Sequence, residues 1–552
     1  MQARGGGPCA LAVLTPLAIL ATLGPARATA QVVAVEESIL QPPGAGARSS
    51  AGAAIAIDGD TALVGVPGAF GGAPGVVYSF VRSGGMWTLD QTIANPDTDT
   101  TGDNFGSAIA LSGTTAVIGA PGDGGGAHPG AAWLLERTGM WVATRLERPT
   151  GTPGQFGHSV ALSASQLAVG APATDTGTVA GAVVLYQRDG SMPVSVTHVD
   201  AEADDLFGAS VALSDSALLV GAPGDDRMGT NAGAAYPFDL AGVAGTPLRP
   251  ASTSDFGRSV ALDAAGLVAA IGAPADGDSG AVYVLRRGGG TSRWPDVSLG
   301  ARLTGSHSSP SDEFGTTVAL EPANGDLVVG APLDEDSAMD AGSAYLFRIR
   351  AMAYVEVARF HAGTPTATDH LGTSVAVSGE TAIAGATGPM DANGFVAVFP
   401  FPRADGATCG SAGRCESGNC IDGFCCDTAC GGDDPSDCTA CSVSQGSDAD
   451  GHCGPVRGGL SCMACGAAGM CASGMCSAAS SCDAGPPPGS DAGSELDGSA
   501  GAMDGGSRPH VQISGCKCEV GGREGVPGWA FAFAAALIGL AARRRLRAAK
   551  KE

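Results

Sequence analysis

Two carboxylate-rich stretches are the first places in this sequence where chemistry could occur. Asp225 and Asp226 follow one Gly-Ala-Pro segment, and a second such segment precedes Asp334, Asp336 and Asp340. Calcium takes about six to eight oxygen ligands, many of them carboxylates. These five aspartates are therefore calcium candidates, and the alternative is that they are solvated carboxylates of surface loops. Apart from calcium, we expect no cofactor.

Two serines stand in sequences that resemble nucleophile motifs. Gly277-Asp278-Ser279-Gly280 matches the segment around the serine of trypsin-like proteases, and Gly157-His158-Ser159 approaches a nucleophile elbow. Both serines, however, occupy positions that recur along the chain as parts of a longer repeated phrase, and the elbow lacks its closing glycine. The eight histidines form no His-Glu-x-x-His pair. We therefore expect no enzyme.

The repeated phrase consists of Phe-Gly, an apolar run, a short turn, a second apolar run and Gly-Ala-Pro. Successive copies lie 49 to 58 residues apart, which indicates a repeat architecture. Short alternating runs between Gly, Pro and Asp read as strands. Three or four strands in each of seven units predict an all-β, seven-bladed β-propeller. The copies start at Ala51-Gly52, Phe105-Gly106, Phe156-Gly157, Phe207-Gly208, Phe256-Gly257, Phe314-Gly315 and Leu371-Gly372.

These copies resemble the FG-GAP repeat family, best known from the propeller of integrin α-subunits, over about residues 31–403. In that family, calcium is often bound by an Asp-x-Asp-x-Asp-Gly loop between the two apolar runs. Here the corresponding gap is short, as in Ser112-Gly113-Thr114 and Ser214-Asp215-Ser216. Such turns cannot supply the oxygens that calcium needs, so only the aspartates after Gly-Ala-Pro stay as candidates.

Within each copy, the Phe is expected to wedge between neighbouring blades and the Gly to allow a close backbone approach. Residues 32–40 resemble the strand that precedes every later copy, and no such strand follows the seventh copy. We therefore predict that they form the closing outer strand of the last blade, which removes an exposed edge.

Composition indicates an exported and acidic protein. The formal net charge is −25, and the only lysines are Lys517, Lys550 and Lys551. Nucleic-acid binding requires a basic surface, so no nucleic-acid partner is expected. Residues 1–30 read as a signal peptide that ends in Ala28-Thr29-Ala30, with cleavage after Ala30.

Residues 404–482 form a cysteine-rich unit with fourteen of the seventeen cysteines. In an exported chain they predict disulfides, although Cys438-x-x-Cys441 and Cys462-x-x-Cys465 also have the spacing of zinc ligands. The pairing cannot be read from the sequence. Residues 483–512, rich in Gly, Ala, Ser, Asp and Pro, predict a disordered acidic linker.

Residues 513–552 combine Cys516-Lys517-Cys518, an apolar run from Val526 to Ala542 and a cluster of arginines. This segment resembles the MYXO-CTERM sorting signal of myxobacteria, which implies processing near Cys516 or Cys518 and display at the cell surface. The alternative is a plain transmembrane helix. Either one would anchor the chain through its C-terminus and keep the body outside.

We therefore expect an exported protein at the cell surface or outer membrane, in which the propeller binds or adheres to an extracellular protein or glycan. The cysteine-rich unit would serve as a stalk. A structural envelope protein is the alternative. A hydrolase-associated propeller is a further one, but it would need a catalytic domain and every segment is already assigned.

Overall fold

The computed structural model describes residues 32–43, 50–68, 75–97, 102–122, 129–172, 180–250, 254–287, 300–388 and 393–403, with short pieces at 407, 415–417, 420–421, 424–426, 439–440, 454–455, 470–472 and 475–477. The predicted signal peptide with Ala30, the linker and the C-terminal segment with Cys516 and Cys518 lie outside these residues. Among the residues that the structure describes, no helix is long and apolar enough to cross a membrane.

The fold is an all-β propeller of seven blades, as the repeat predicted. The chain enters through β1 (Val32–Val35) and β2 (Ser38–Leu40). Blade 1 holds β3 (Ile55–Asp58), β4 (Thr61–Val66), β5 (Val76–Ser83) and β6 (Met86–Ala94). Blade 2 holds β7 (Ala108–Ser112), β8 (Thr115–Ala120), β9 (Ala131–Arg137) and β10 (Trp141–Arg145). Blade 3 holds β11 (Ser159–Leu162), β12 (Gln166–Ala171), β13 (Ala182–Gln187) and β14 (Val194–Val196).

The remaining blades follow the same antiparallel order. Blade 4 holds β15 (Ser210–Leu213), β16 (Leu218–Ala222) and β17 (Ala234–Phe238). Blade 5 holds β18 (Ser259–Leu262), β19 (Val268–Ala273), β20 (Ala281–Arg286) and β21 (Ala301–Leu303). Blade 6 holds β22 (Thr317–Leu320), β23 (Leu327–Ala331), β24 (Ser343–Arg350) and β25 (Ala353–His361). Blade 7 holds β26 (Leu371–Ser378), β27 (Thr381–Ala386) and β28 (Phe395–Pro400).

Blade 4 has only three strands. The segment after β17 contains Pro247 and Pro250, which lack the N–H that a ladder requires. It touches β17 only through isolated bridges, Ala235 with Leu248 and Phe238 with Ala244.

The two ends of the propeller meet in one blade. Strand β2 pairs antiparallel with β28, so Ser38–Leu40 is the outer strand of blade 7. Strand β1 differs from the prediction, because it pairs parallel with β25 and adds a fifth strand to blade 6. The entering segment therefore completes blade 7 with β2 and also adds β1 to blade 6.

Each Phe of the repeat lies between two blades, as expected. Phe156, for example, packs with Val117 of blade 2 and Leu167 of blade 3 and is fully buried. Burying one such ring contributes about 1.5–3 kcal/mol. In the two copies that lack this Phe, Ala51 and Leu371 take its place and are also fully buried.

The two glycines of the phrase form a closed chain of contacts around the ring. A Cβ on Gly221 would lie 2.0 Å from the carbonyl oxygen of Gly257, the Phe-Gly glycine of the next blade. The seventh contact joins Gly385 to Gly52 at 2.1 Å and so closes the circle. Because no side chain fits there, both positions require glycine.

Hydroxyl groups reinforce five of these seven contacts. In each case a Ser or Thr two residues after the Phe-Gly glycine donates to the Phe-Gly carbonyl of the next blade. The donors are Ser159, Ser210, Ser259, Thr317 and Ser374, at 2.6–3.0 Å from Gly208, Gly257, Gly315, Gly372 and Gly52.

The antiparallel order gives the disc two different faces. We call "turn face" the side that carries the turns between first and second strands and between third and fourth strands. We call "loop face" the side that carries the Phe-Gly segments, the loops after Gly-Ala-Pro and the connections between blades.

On the turn face, at least one hydrogen bond crosses each of the seven blade boundaries. The bonds join Gly113 to Asp58, Arg188 to Ser112, Ala164 to Asp215, Ser216 to Ala265, Ala264 to Pro322, Gly379 to Glu321 and Gly59 to Ser378.

The first piece of the cysteine-rich unit contacts the turn face. Glu416 pairs with Arg348 and Arg350 at the end of β24. A disulfide joins Cys415 to Cys425, and the N–H of Cys425 donates to the carbonyl of Ala407. Most of residues 404–482, including all four cysteines of the two Cys-x-x-Cys pairs, falls outside the described residues.

Candidate functional site

The candidate aspartates lie in the loops after Gly-Ala-Pro, on the loop face of blades 4 and 6. The two loops are built alike. The N–H of Asp225 donates to Ala222 and its carbonyl accepts from Gly233, and Asp334 makes the same bonds with Ala331 and Gly342. The Asp225 and Asp334 side chains are buried to 0% and 1% exposure.

In blade 4, the Asp225 carboxylate is held by a tyrosine and an arginine. Tyr236 donates its hydroxyl to Oδ2 at 2.6 Å, and Arg249 Nη2 lies 3.0 Å from the same oxygen. Burial acts to raise the pKa of Asp225, but the hydrogen bonds from Arg249 and Tyr236 outweigh it and hold the pKa below its usual value. Burial, together with the adjacent carboxylate, raises the pKa of Tyr236.

Blade 6 repeats this triad with an arginine that is more deeply buried than Arg249. The Tyr345 hydroxyl donates to Asp334 Oδ2 at 2.7 Å, and Arg359 Nη2 lies 2.9 Å from Oδ1. Arg359 also reaches Asp336 at 2.7 Å, and His307 Nδ1 lies 3.2 Å from that carboxylate. The arginine therefore joins two of the candidate aspartates.

A third triad occurs in blade 5, at residues that the sequence analysis did not single out. Tyr283 donates to Asp276 Oδ2 at 2.7 Å, and Arg302 Nε lies 2.8 Å from the same oxygen. Asp276 is the second residue after Pro274, as Asp225 and Asp334 are after their prolines. A recurring Gly-Ala-Pro-x-Asp was thus the signal that could have found this site.

Strand register places the arginine in the triads of blades 5 and 6, whereas Arg249 of blade 4 lies in the segment after β17, outside any strand. Tyr283 lies opposite Arg302 and Tyr345 opposite Arg359 in the ladder between third and fourth strands. In blade 2, Trp133 lies opposite Arg145, whose guanidinium stands 5.5 Å from the indole ring. Paired positions on one sheet face are close enough for such contacts.

The other two calcium candidates lie at the edges of these loops. Asp226 is exposed, and its Oδ1 accepts from the N–H of Asn231. Asp340 is half-buried with φ +52°, and its carbonyl accepts from the N–H of His370.

These contacts decide how well the aspartates fit a calcium ion. The carboxylates of Asp225 and Asp334 already accept from a phenol and a guanidinium, whereas calcium needs about six to eight free oxygens. Within the described residues, no three Asp, Glu, His or Cys side chains form a group that could hold a metal ion. Asp225 and Asp334 as placed do not fit calcium, and calcium binding by these loops stays an untested prediction.

One further carboxylate near blade 6 has an unusual environment. Asp312, two residues before Phe314, is 1% exposed, and its Oδ1 has no hydrogen-bond partner among the described residues. Burial raises its pKa to about 6, with a further contribution from the negative charge of Asp334 and Asp336.

A cavity of about 580 Å³ lies on the axis, lined by the first strands of all seven blades. Its walls are largely Ala, Val, Ile and Leu. At the turn face it is rimmed by residues such as Ser214, Asp263 and Glu321, whose side chains accept N–H groups of their own turns. These rim groups therefore have a structural role.

The serine of one nucleophile-like motif also has a structural role. The hydroxyl of Ser159 donates to the Gly208 carbonyl in the inter-blade ring described above. The Ser279 backbone carbonyl accepts the N–H of Phe314, at the junction between blades 5 and 6.

Comparison with known families fits this geometry. Residues 87–135, 194–238 and 297–347 match the FG-GAP repeat. These stretches are FG-GAP repeats. Each runs from the fourth strand of one blade to the third strand of the next, so the sequence repeat straddles two blades. No curated protein matches the chain.

Proposed function

We propose that this protein is exported, anchored at the cell surface through its C-terminus, and binds an extracellular protein or glycan with the loop face of its propeller. An FG-GAP propeller is consistent with a binding or adhesion module. The partner and the location are our inference.

One observation carries the proposal: on the loop face, exposed and varied side chains stand on a rigid base. In blade 4, Arg227, Met228 and Thr230 are exposed directly after the buried Asp225. In blade 6, Glu335 and Met339 are exposed around the buried Asp334. Loops fixed by buried ion pairs lose little entropy on binding, which favours recognition.

The export proposal rests on separate support. The Cys415–Cys425 disulfide suits an oxidising compartment, as do the predicted signal peptide and the many cysteines of residues 404–482. The acidity of the chain argues against a nucleic-acid partner.

The test uses purified residues 31–482, fluorescently labelled, on whole cells of the source organism and on their extracellular matrix, with and without calcium. We expect saturable binding. Reversing charge on the loop face with Asp278→Lys and Glu335→Lys should weaken it. The matched control, Glu136→Lys, changes an exposed charge near the turn face and should leave binding intact.

Each outcome has a distinct meaning. Equal loss in the control and the loop-face variant would remove the loop face from the proposal. Absence of saturable binding would favour a structural role in the envelope. A requirement for calcium would return the loop aspartates to the list of metal ligands, and hydrolysis of an ester or glycan would favour a hydrolase.

A further inference from the structure

Exposed apolar side chains concentrate at the outer corners of the turn face. Nine of the thirteen exposed large hydrophobic side chains in the described residues lie in the turn after the third strand of a blade or at the start of the fourth strand. They are Met86 and Leu89, Met140 and Val142, Met192 and Val194, Val243, and Met352 and Val355.

Methionine recurs at this corner in four blades. The exposed fractions are 71% for Met86, 67% for Met140, 70% for Met192 and 88% for Met352. Turns of this kind normally carry Gly, Asn, Asp or Ser. Met192 and Met352 even adopt a positive φ, at +53° and +68°, which a residue with a side chain adopts at a cost. Turn geometry therefore does not explain the methionines.

Arginines stand beside these corners. Arg82, Arg137, Arg188 and Arg350 close the third strands two to four residues before the four methionines. Their guanidinium groups are engaged nearby, for example Arg82 with Asp60 at 2.8 Å and Arg137 with Asp90 at 2.8 Å. Both faces therefore carry paired acidic and basic groups. They differ in apolarity, since nine of the thirteen exposed large hydrophobic side chains in the described residues lie at the turn-face corners.

The cysteine-rich unit is attached to the same turn face. Glu416 binds Arg348 and Arg350 there, and the adjacent Cys415 is fixed by its disulfide. The chain beyond this contact includes the apolar run from Val526 to Ala542. Along the chain, the proposed anchor follows the segment that contacts the turn face.

We propose that the turn face lies against the membrane, with the four methionine corners in contact with the lipid headgroup layer and the loop face directed away from it. This inference rests on the proposed C-terminal anchoring. Single corners would bind lipid weakly, but an anchored disc presents several corners at high effective concentration. The orientation leaves the loop face free for its partner.

Methionine oxidation tests the orientation in the full exported chain. The protein is placed in nanodiscs of phosphatidylethanolamine and phosphatidylglycerol, or in detergent, and treated briefly with hydrogen peroxide. Sulfoxide formation at each methionine is read by mass spectrometry. Met228 and Met339, 51% and 62% exposed on the loop face, are internal controls.

We expect the four corner methionines to oxidise several-fold more slowly in nanodiscs than in detergent, while Met228 and Met339 oxidise equally in both. Equal oxidation of all six in nanodiscs would overturn the inference. Failure of the chain to enter nanodiscs would instead overturn the proposed anchoring. Protection in detergent that grows with protein concentration would overturn the inference in favour of contact between two discs.

A paired substitution sharpens the result. Met86→Gln with Met140→Gln removes two of the four corners, so Met192 and Met352 should oxidise faster in nanodiscs than in the parent chain. The matched control, Met228→Gln with Met339→Gln, changes the loop face and should leave the corner methionines protected. Loss of protection in the control variant would count against the orientation.

Discussion

The two faces of the propeller are held together in different ways. On the turn face, every blade boundary is crossed by at least one hydrogen bond, mostly involving backbone groups or short polar side chains. On the loop face, blades 4, 5 and 6 have ion pairs of a buried Asp with an Arg, each completed by a Tyr hydroxyl. The turn-face bonds thus occur at all seven boundaries, whereas within the described residues these triads occur in three blades.

This difference shows how one repeat can supply both a constant frame and a variable surface. The inter-blade contacts depend on glycines and backbone groups in every blade and on hydroxyls at five of the seven boundaries. The triads depend on a register position that varies, since Val184 lies opposite Ser195 in blade 3 where blade 6 has Tyr345 opposite Arg359. Variation at this register position leaves the glycine contacts between blades intact.

Removal of the entering strands should have the largest effect, because it opens the frame itself. Deleting residues 31–41 removes β1 and β2 and exposes the edges of blades 6 and 7. We expect a loss of more than about 4 kcal/mol in the free energy of unfolding of residues 31–482, measured by urea denaturation.

Point substitutions control for this deletion. Leu40 is 1% exposed, so Leu40→Ala should cost about 2–5 kcal/mol, whereas Ile39 is 48% exposed and Ile39→Ala should change stability by less than about 0.5 kcal/mol. A deletion variant with an unchanged melting temperature would show that the ring does not depend on this closure.

The next effect concerns the loop face and compares two triads of different burial. In blade 6 the side chains of Arg359 and Asp334 are 7% and 1% exposed, whereas Arg302 and Asp276 in blade 5 are 42% and 11% exposed. Arg359→Ala leaves a buried carboxylate unpaired and should cost about 3 kcal/mol. Arg302→Ala should cost about 1 kcal/mol, because water can reach the carboxylate.

Unfolding of the two variants under identical conditions checks this order. The double variant Arg359→Ala with Asp334→Asn should recover part of the loss, since the unpaired charge is gone. Equal losses for Arg302→Ala and Arg359→Ala would mean that burial does not govern the strength of the triads.

The sequence predicted the frame far better than the site. Phe-Gly and Gly-Ala-Pro recur because each blade needs the same wedge and the same close approach, so seven copies predict seven blades. The parallel pairing of Val32–Val35 with blade 6 could not be read from four apolar residues, which fit either neighbouring blade. The aspartates were recognised as a group, but their partners were not.

The partners were missed because sequence separation hides them. Asp225 meets Tyr236 and Arg249, 11 and 24 residues away, and only the folded blade brings the three together. Without the fold, a carboxylate in a loop resembles a cation ligand as much as half of an ion pair. The predicted propeller was confirmed, whereas metal binding by its loops remains a prediction.

A smaller effect tests the hydroxyl contacts that join the blades. Ser210 donates to the Gly257 carbonyl at 2.8 Å, so Ser210→Ala should cost about 1 kcal/mol. Ser107 is the matched control, because its buried hydroxyl has no hydrogen-bond partner among the described residues. Ser107→Ala should be neutral or slightly stabilising, and a loss at Ser107 as large as that at Ser210 would contradict the role of the inter-blade bond.

The smallest expected effect depends on pH and concerns Asp312 on the loop face. Burial raises its pKa to about 6 in the folded protein, from an ordinary value near 3.8. The fold therefore disfavours the ionised form: below about pH 4 the group is protonated in both states and costs nothing, and stability is lost as the pH rises through about 6. Asp312→Asn should raise the free energy of unfolding at about pH 7.5 by up to about 1 kcal/mol and change little at about pH 4.

Thermal unfolding of both proteins across this pH range measures the difference. The turn face supplies the control, since Asp215 is exposed and accepts from the N–H of Ala164, so Asp215→Asn should not gain stability at high pH. An equal gain in both variants would trace the effect to the overall negative charge of the chain. A gain confined to Asp312 would show that the loop face keeps this buried carboxylate at a cost in stability.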